Sequence, residues 1–125
     1  MKRRLLPLIA SALVAGCGGG IYIGWWDDNS PSVSLAVGAT SASPGQAVRL
    51  AAAASDDDRV VDVDFYRIDP DGRTSFLGSD GSEPYELNAV IPSATPRGNV
   101  VYFYARATDS SGHQSDSGTV GVTVN

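Results

Sequence analysis

The 125 residues are 42% hydrophobic and carry nine Lys or Arg against 14 Asp or Glu, enough for one domain but too few for a barrel enzyme or a two-domain nucleotide-binding protein. Lys2, Arg3 and Arg4 sit at the extreme N-terminus, so the rest holds six Arg, no Lys and all 14 acids, a net charge of −8, which argues against nucleic acid as a partner. A single Cys, Cys17, and a single His, His113, leave no disulfide framework, no Cys-rich zinc site and little room for a metal hydrolase.

Met1 to Arg4 form a positive n-region, Leu5 to Val14 a mostly apolar run, and the small residues Ala15 and Gly16 follow. That is the layout of a secretory signal, removed from the mature protein. Val14-Ala15-Gly16-Cys17 resembles the lipobox of bacterial lipoproteins, an apolar residue and two small ones before a Cys. The resemblance covers residues 1 to about 20. It implies a signal peptide over 1–16, cut before Cys17, whose thiol takes a diacylglycerol and whose new amino group takes a further chain such as palmitate. Gly18, where Asp would retain the protein in the inner membrane, implies a place in the bacterial cell envelope at the outer membrane. Three acyl chains exceed the two signals that stable anchoring requires.

Two other readings compete, a secreted protein with a free thiol and a signal anchor. No charge occurs from Leu5 to Trp26, long enough to cross a core of ~30 Å, but Pro7 and the run Gly16 to Gly20 make poor helix. Residues 17–31 are then the lipidated Cys and a flexible tether, with a reach of roughly 20 Å. Within it, Ile21-Tyr22-Ile23-Gly24-Trp25-Trp26 either settles at headgroup level, as interfacial aromatics do, or packs on the domain as an extra edge piece. Asp27 to Pro31 close the tether with turn and breaker chemistry.

From Ser32 onward short alternating runs recur between Gly, Pro, Asp and Ser. Val33, Leu35 and Val37 begin the series, Gly38 to Gln46 make a loop, and Val48, Leu50, Ala52 and Ala54 form the next inward set. Val61, Val63 and Phe65 alternate with Asp62, Asp64 and Tyr66. After the turn Pro70-Asp71-Gly72 come a short strand around Phe76, then Tyr85, Leu87 and Ala89. Val101, Phe103, Ala105 and Ala107 alternate with Tyr102, Tyr104, Arg106 and Thr108, and Val120, Val122 and Val124 close the chain. The run Ala51 to Ala54 has helix propensity, but it is short and its flanks keep period two. About seven strands over 32–125, with no helical period, predict an antiparallel all-β sandwich of immunoglobulin-like size.

Particular residues strengthen this. Ala52 to Asp56, Val63 to Tyr66 and Ala105 to Gly112 resemble the bacterial immunoglobulin-like domains appended to secreted chitinases, cellulases and surface proteins. The resemblance spans residues 32–124 and is looser from Arg73 to Arg97. It implies a non-catalytic spacer, stabilising module or adhesive unit, with an envelope protein or a glycan as partner. Neither the inter-sheet cysteines nor the third-strand Trp of antibody domains is present, so Val, Leu, Ala and Phe must form the core.

The residues themselves point away from catalysis. No Gly-x-Ser-x-Gly elbow and no phosphate-cradling loop occurs, and His113 reads as a solvated hairpin residue. Three surfaces remain. In such a sandwich the loops holding Asp56, Asp57, Asp58 and Asp109 share the pole where the chain enters, with Asp27 and Asp28 beside them. Six to eight oxygens there would suit Ca²⁺, although Asp and Ser equally suit turns. The loops around Ser41–Pro44, Asp69–Gly72 and Pro92–Arg97 point the other way, with Arg73 and Arg97 as their cations. Tyr66, Tyr102 and Tyr104 should face outward on neighbouring strands, either as a ligand strip for a glycan or as cross-strand pairs.

Overall fold

A computed structural model describes residues 30–125. The signal peptide, Cys17, the aromatic tether and Asp27–Asp28 lie outside the described residues. The described chain is all β. Its strands are β1 (Ser32–Val37), β2 (Ser41–Ala42), β3 (Ala47–Ser55), β4 (Val60–Ile68), β5 (Thr74–Asp80), β6 (Tyr85–Val90), β7 (Val100–Asp109), β8 (Gln114–Asp116) and β9 (Val120–Val124).

They form two sheets, one in the order β1-β3-β6 and one in the order β2-β9-β7-β4-β5, with β8 paired to the C-terminal end of β7. Seven of the strands are those the alternation predicts. β2 falls inside the predicted loop Gly38 to Gln46, where the chain leaves the first sheet and runs parallel to β9 in the second. β8 is the start of the return from β7, pairing Ser115 with Ala107 before the chain shifts to β9. Strands of two and three residues carry no periodicity for a sequence to display.

The core fills the space between the sheets. β7 supplies Val101, Phe103, Ala105 and Ala107, β4 supplies Val63 and Phe65, and Val48, Leu50 and Ala89 face them from β3 and β6. Ile91, in the connection after β6, is also fully buried. Gln46 and Gly45 tie it there, the Ile91 N–H donating to the Gln46 carbonyl and the Gly45 N–H to the Ile91 carbonyl. Val61 departs from expectation. A bulge between Val60 and Asp62 takes it out of the ladder with β7, and Val60 packs against the core instead, ahead of the fully buried Val63. A second irregularity pairs Phe65 with Gly78 and Tyr66 with Phe76, leaving Leu77 as the extra residue of β5.

Register fixes the poles. Ser32 pairs with Ser55 and Val60 with Asp109, so the chain enters beside the loop 56–59 and the turn 110–113. The opposite pole gathers the loops 38–46, 69–73 and 91–99 and the end of β9.

Candidate functional site

The outward side of β4 and β7 is ordered in rows. Register pairs Asp62 with Thr108, Asp64 with Arg106, Tyr66 with Tyr104 and Ile68 with Tyr102. β5 extends two of these rows, with Ser79 beside Asp64 and Phe76 beside Tyr66. Polar groups therefore occupy the half toward the entering chain, and rings the half toward the far pole.

The three tyrosines expected on one face are all there, in unequal roles. Tyr66 and Tyr104 stack on each other, centroids 5.0 Å apart and planes 12° from parallel. Phe76 meets Tyr66 edge-on at 5.6 Å, and the Arg106 guanidinium lies 5.2 Å from the centre of the same ring. Arg106 is fixed in turn by Asp116, which accepts from Nε at 2.7 Å and from the terminal nitrogen at 3.1 Å. That pairing raises the Arg106 pKa further, so the guanidinium stays charged. Tyr102 lies over Gly121 of β9, where a Cβ would come within 3.1 Å of the ring. Tyr102 remains 43% exposed and Phe76 60%. Phe76 is the ring that sequence reasoning did not assign to this face; the irregularity at Leu77 is what sets its direction, and nothing in the alternation signals it.

Beside the rings, Asp62 and Asp64 stand two residues apart on one strand. Asp64 accepts from the Ser79 hydroxyl at 2.6 Å. Burial, the hydrogen bond and charge of Asp64, and the charge of Asp80 push the Asp62 carboxyl up to about 6. Because this lies above the ordinary value of 3.8, the folded state holds a proton that the unfolded chain releases. The resulting stability is complete below about 4 and lost as pH rises through about 6. Urea midpoints should therefore fall between pH 4 and 6, and Asp62→Asn should remove that fall. An unchanged slope in the variant would place the proton elsewhere.

At the acidic pole the structure brings together Asp58 and Asp109 with His113, their ligating atoms all within 4.8 Å of one another. Asp56 is tied to Asp109 through their side chains, and its Oδ1 accepts from the Asp57 N–H at 2.9 Å. Of the four carboxylates expected to converge, Asp58 and Asp109 belong to this group and Asp56 and Asp57 do not, and an imidazole takes part in it. His113 is half-buried rather than solvated, its Nδ1 3.1 Å from Asp109 Oδ2. The Ser111 hydroxyl donates to Asp58 at 2.7 Å, so this Ser, His and Asp set is wired as a turn and not as a nucleophile with its base. At the far pole Asp69, Asp71, Pro70, Pro92 and Pro96 line an open cleft of about 230 Å³. Arg73 and Arg97 do not line it.

No protein-family model matches the chain, and no curated protein does. Among solved structures it is similar to the fibronectin(III)-like modules of Clostridium thermocellum CbhA, with a TM-score of 0.57 and 24% identity over 74% of this chain and 94% of that one. It is also similar to the sporulation control protein Spo0M of Bacillus subtilis, with a TM-score of 0.52 and 15% identity. That match covers 78% of this chain and 50% of Spo0M. At such identities the likeness speaks for architecture alone. The chain is an all-β, immunoglobulin-like sandwich of the kind fibronectin(III)-like modules adopt.

Proposed function

We propose that this protein is a non-catalytic lipoprotein of the bacterial envelope that presents one immunoglobulin-like structural and interaction module. The observation that carries the reading is the lipobox Val14 to Cys17 behind a positive n-region and an apolar run. The architecture is compatible with it. The tether joins the sandwich at the pole where Ser32 pairs with Ser55, leaving the opposite loops directed away from the anchor. Gly18 favours the outer membrane. Modules of this architecture commonly serve as spacers or adhesive units, and among the described residues a packed apolar core fills the space between the sheets.

Expression of the full chain with an alkyne-bearing fatty acid should label the wild type, with a mature mass that starts at Cys17. Cys17→Ser should abolish the label and leave the protein unprocessed. Labelling that survives the substitution would overturn the anchor.

A second reading is an adhesion module that is calcium-dependent or carbohydrate-binding. The convergence of Asp58 and Asp109 favours the first, although Asp109 would have to exchange its His113 contact for the ion. The exposed rings favour ligand binding of some kind.

A further inference from the structure

Two of the large hydrophobic side chains most exposed among the described residues, Phe76 and Tyr102, stand on the same sheet face. Phe76 meets Tyr66 only edge-on and Tyr102 lies over Gly121, so each leaves much of its ring open to solvent beside the stack of Tyr66 on Tyr104. The charges on this face do not balance either. Arg106 is held by both oxygens of Asp116, and among the described residues no Arg forms an ion pair with Asp62 or Asp64. An aromatic half and an unneutralised acidic half therefore adjoin on one open surface.

The face also contains an example of what it holds. Arg106 places its guanidinium against the Tyr66 ring with a carboxylate behind it, combining a cation–π contact with an ion pair. Tyr102 and Phe76 offer the same ring chemistry without an internal cation over them. An exposed ring stacks a sugar as readily as a guanidinium. What favours a cation here is the carboxylates of Asp62 and Asp64, which no Arg among the described residues neutralises, while Tyr66 is not open to either ligand. Tyr66 is occupied by Tyr104, Phe76 and Arg106 together.

We propose that the outer face of β5, β4 and β7 binds an extended basic peptide segment of a partner protein, its Arg or Lys heads stacking on Tyr102 and Phe76 and meeting the carboxylates of Asp62 and Asp64. Arg suits the site better than Lys, because its planar head stacks and pairs at once. The chain's own net charge of −8 outside the first four residues favours the same partner at long range. The proposal rests on the reading of the chain as an interaction module, but not on its anchor. Failure here leaves Cys17 acylation standing, and failed acylation leaves peptide binding standing.

The test is fluorescence anisotropy of the full chain with a labelled synthetic peptide that spaces Arg with Gly and Ser. The same peptide with Glu for Arg and an uncharged cello- or chito-oligosaccharide serve as comparisons. The Arg peptide should bind, and the Glu peptide should not. Tyr102→Ala with Phe76→Ala should weaken binding about tenfold, as two exposed cation–π contacts allow. Tyr102→Phe, which keeps the ring, should bind within about twofold of wild type. Asp62→Asn with Asp64→Asn should weaken binding several-fold and flatten its salt dependence. Both ring positions are exposed, so the ring variants should stay folded and melt within several degrees of the wild type. The aspartate variants are compared with wild type at a pH where both fold fully.

Three results would overturn the proposal. One is no binding of the Arg peptide. Another is binding that survives loss of both rings, which would be attraction to the acidic surface at large. The third is tighter binding of the oligosaccharide than of the Arg peptide, which would make the face a glycan platform.

Discussion

Phe65→Ala should remove about 3–5 kcal/mol of folding stability, a third or more of what a domain of this size usually possesses. The ring is completely buried, and its neighbours across both strand pairs are Ala105 and Gly78. These are among the smallest residues available, so the ring fills space that they leave. When it is deleted, neither neighbour has atoms to move into the gap, and the cavity persists rather than collapsing. Enlarging Gly78 in compensation would require the end of the Leu87 side chain to turn aside. A Cβ there would lie 2.7 Å from Leu87 Cδ1. The described sandwich contains no cysteine, so no cross-link limits the unfolded chain and offsets the loss. Urea denaturation should show the midpoint falling by roughly 2 M, taking a slope near 2 kcal/mol/M. The slope itself should be unchanged. A loss under about 1 kcal/mol would mean that the sheets close over the missing ring, contrary to the close packing expected of such a core.

Phe65 was visible in the sequence because it obeys a rule that extends along its strand. Val63 and Phe65 face inward between Asp62, Asp64 and Tyr66, and β7 repeats the pattern from Val101 to Thr108. Alternation of this kind reports which side of a sheet a residue occupies. It therefore located the tyrosine face as well as the core. It could not report what happens within the face. The stacking of Tyr66 on Tyr104, and Arg106 against both Tyr66 and Asp116, depend on side-chain rotamers and on register between strands far apart in sequence. Val61 shows another limit. Val60 and Val61 are equivalent as a pair of apolar residues, and only the bulge decides which of them leaves the ladder. Loops were legible as loops and little more. Asp109 reads as one more turn acid in Asp109-Ser110-Ser111-Gly112-His113, yet it is only 1% exposed. The groups that make its burial tolerable are the side chains of Asp56 and His113 and two backbone N–H groups, and the backbone groups are ones that every sequence has and none advertises.

Asp109→Ala should lower Tm by roughly 10–15 °C, more than any other single change to the acidic pole. Asp109 Oδ1 accepts the backbone N–H groups of Ser111 at 2.9 Å and His113 at 2.8 Å, and Oδ2 faces the His113 ring. Its own N–H donates to the His113 carbonyl. One carboxylate thereby closes the turn that reverses β7 into β8. Alanine would leave two part-buried backbone donors without that acceptor, which is costlier than never having formed the bonds. Asp109→Asn retains one oxygen for the backbone donors, so it should lose about half as much. Acid should reveal the charge. Burial alone would raise this carboxyl, but the hydrogen bonds from Asp56, from the backbone and ring of His113 and from the Ser111 backbone hold it down at about 2. A folded value below the unfolded 3.8 contributes stability that is present above about 4 and lost as pH falls through about 2. Wild type should weaken across that interval, and Asp109→Asn should not. Calcium separates the two roles available to this pole. If Asp109 only closes the turn, its removal costs the same in millimolar Ca²⁺ as in chelator. If it also ligates the ion, wild-type Tm rises with Ca²⁺, the variant's does not, and the gap between them widens by the binding energy. The pH slope should survive in either case in chelator, because it arises from hydrogen bonds that the chain supplies to itself.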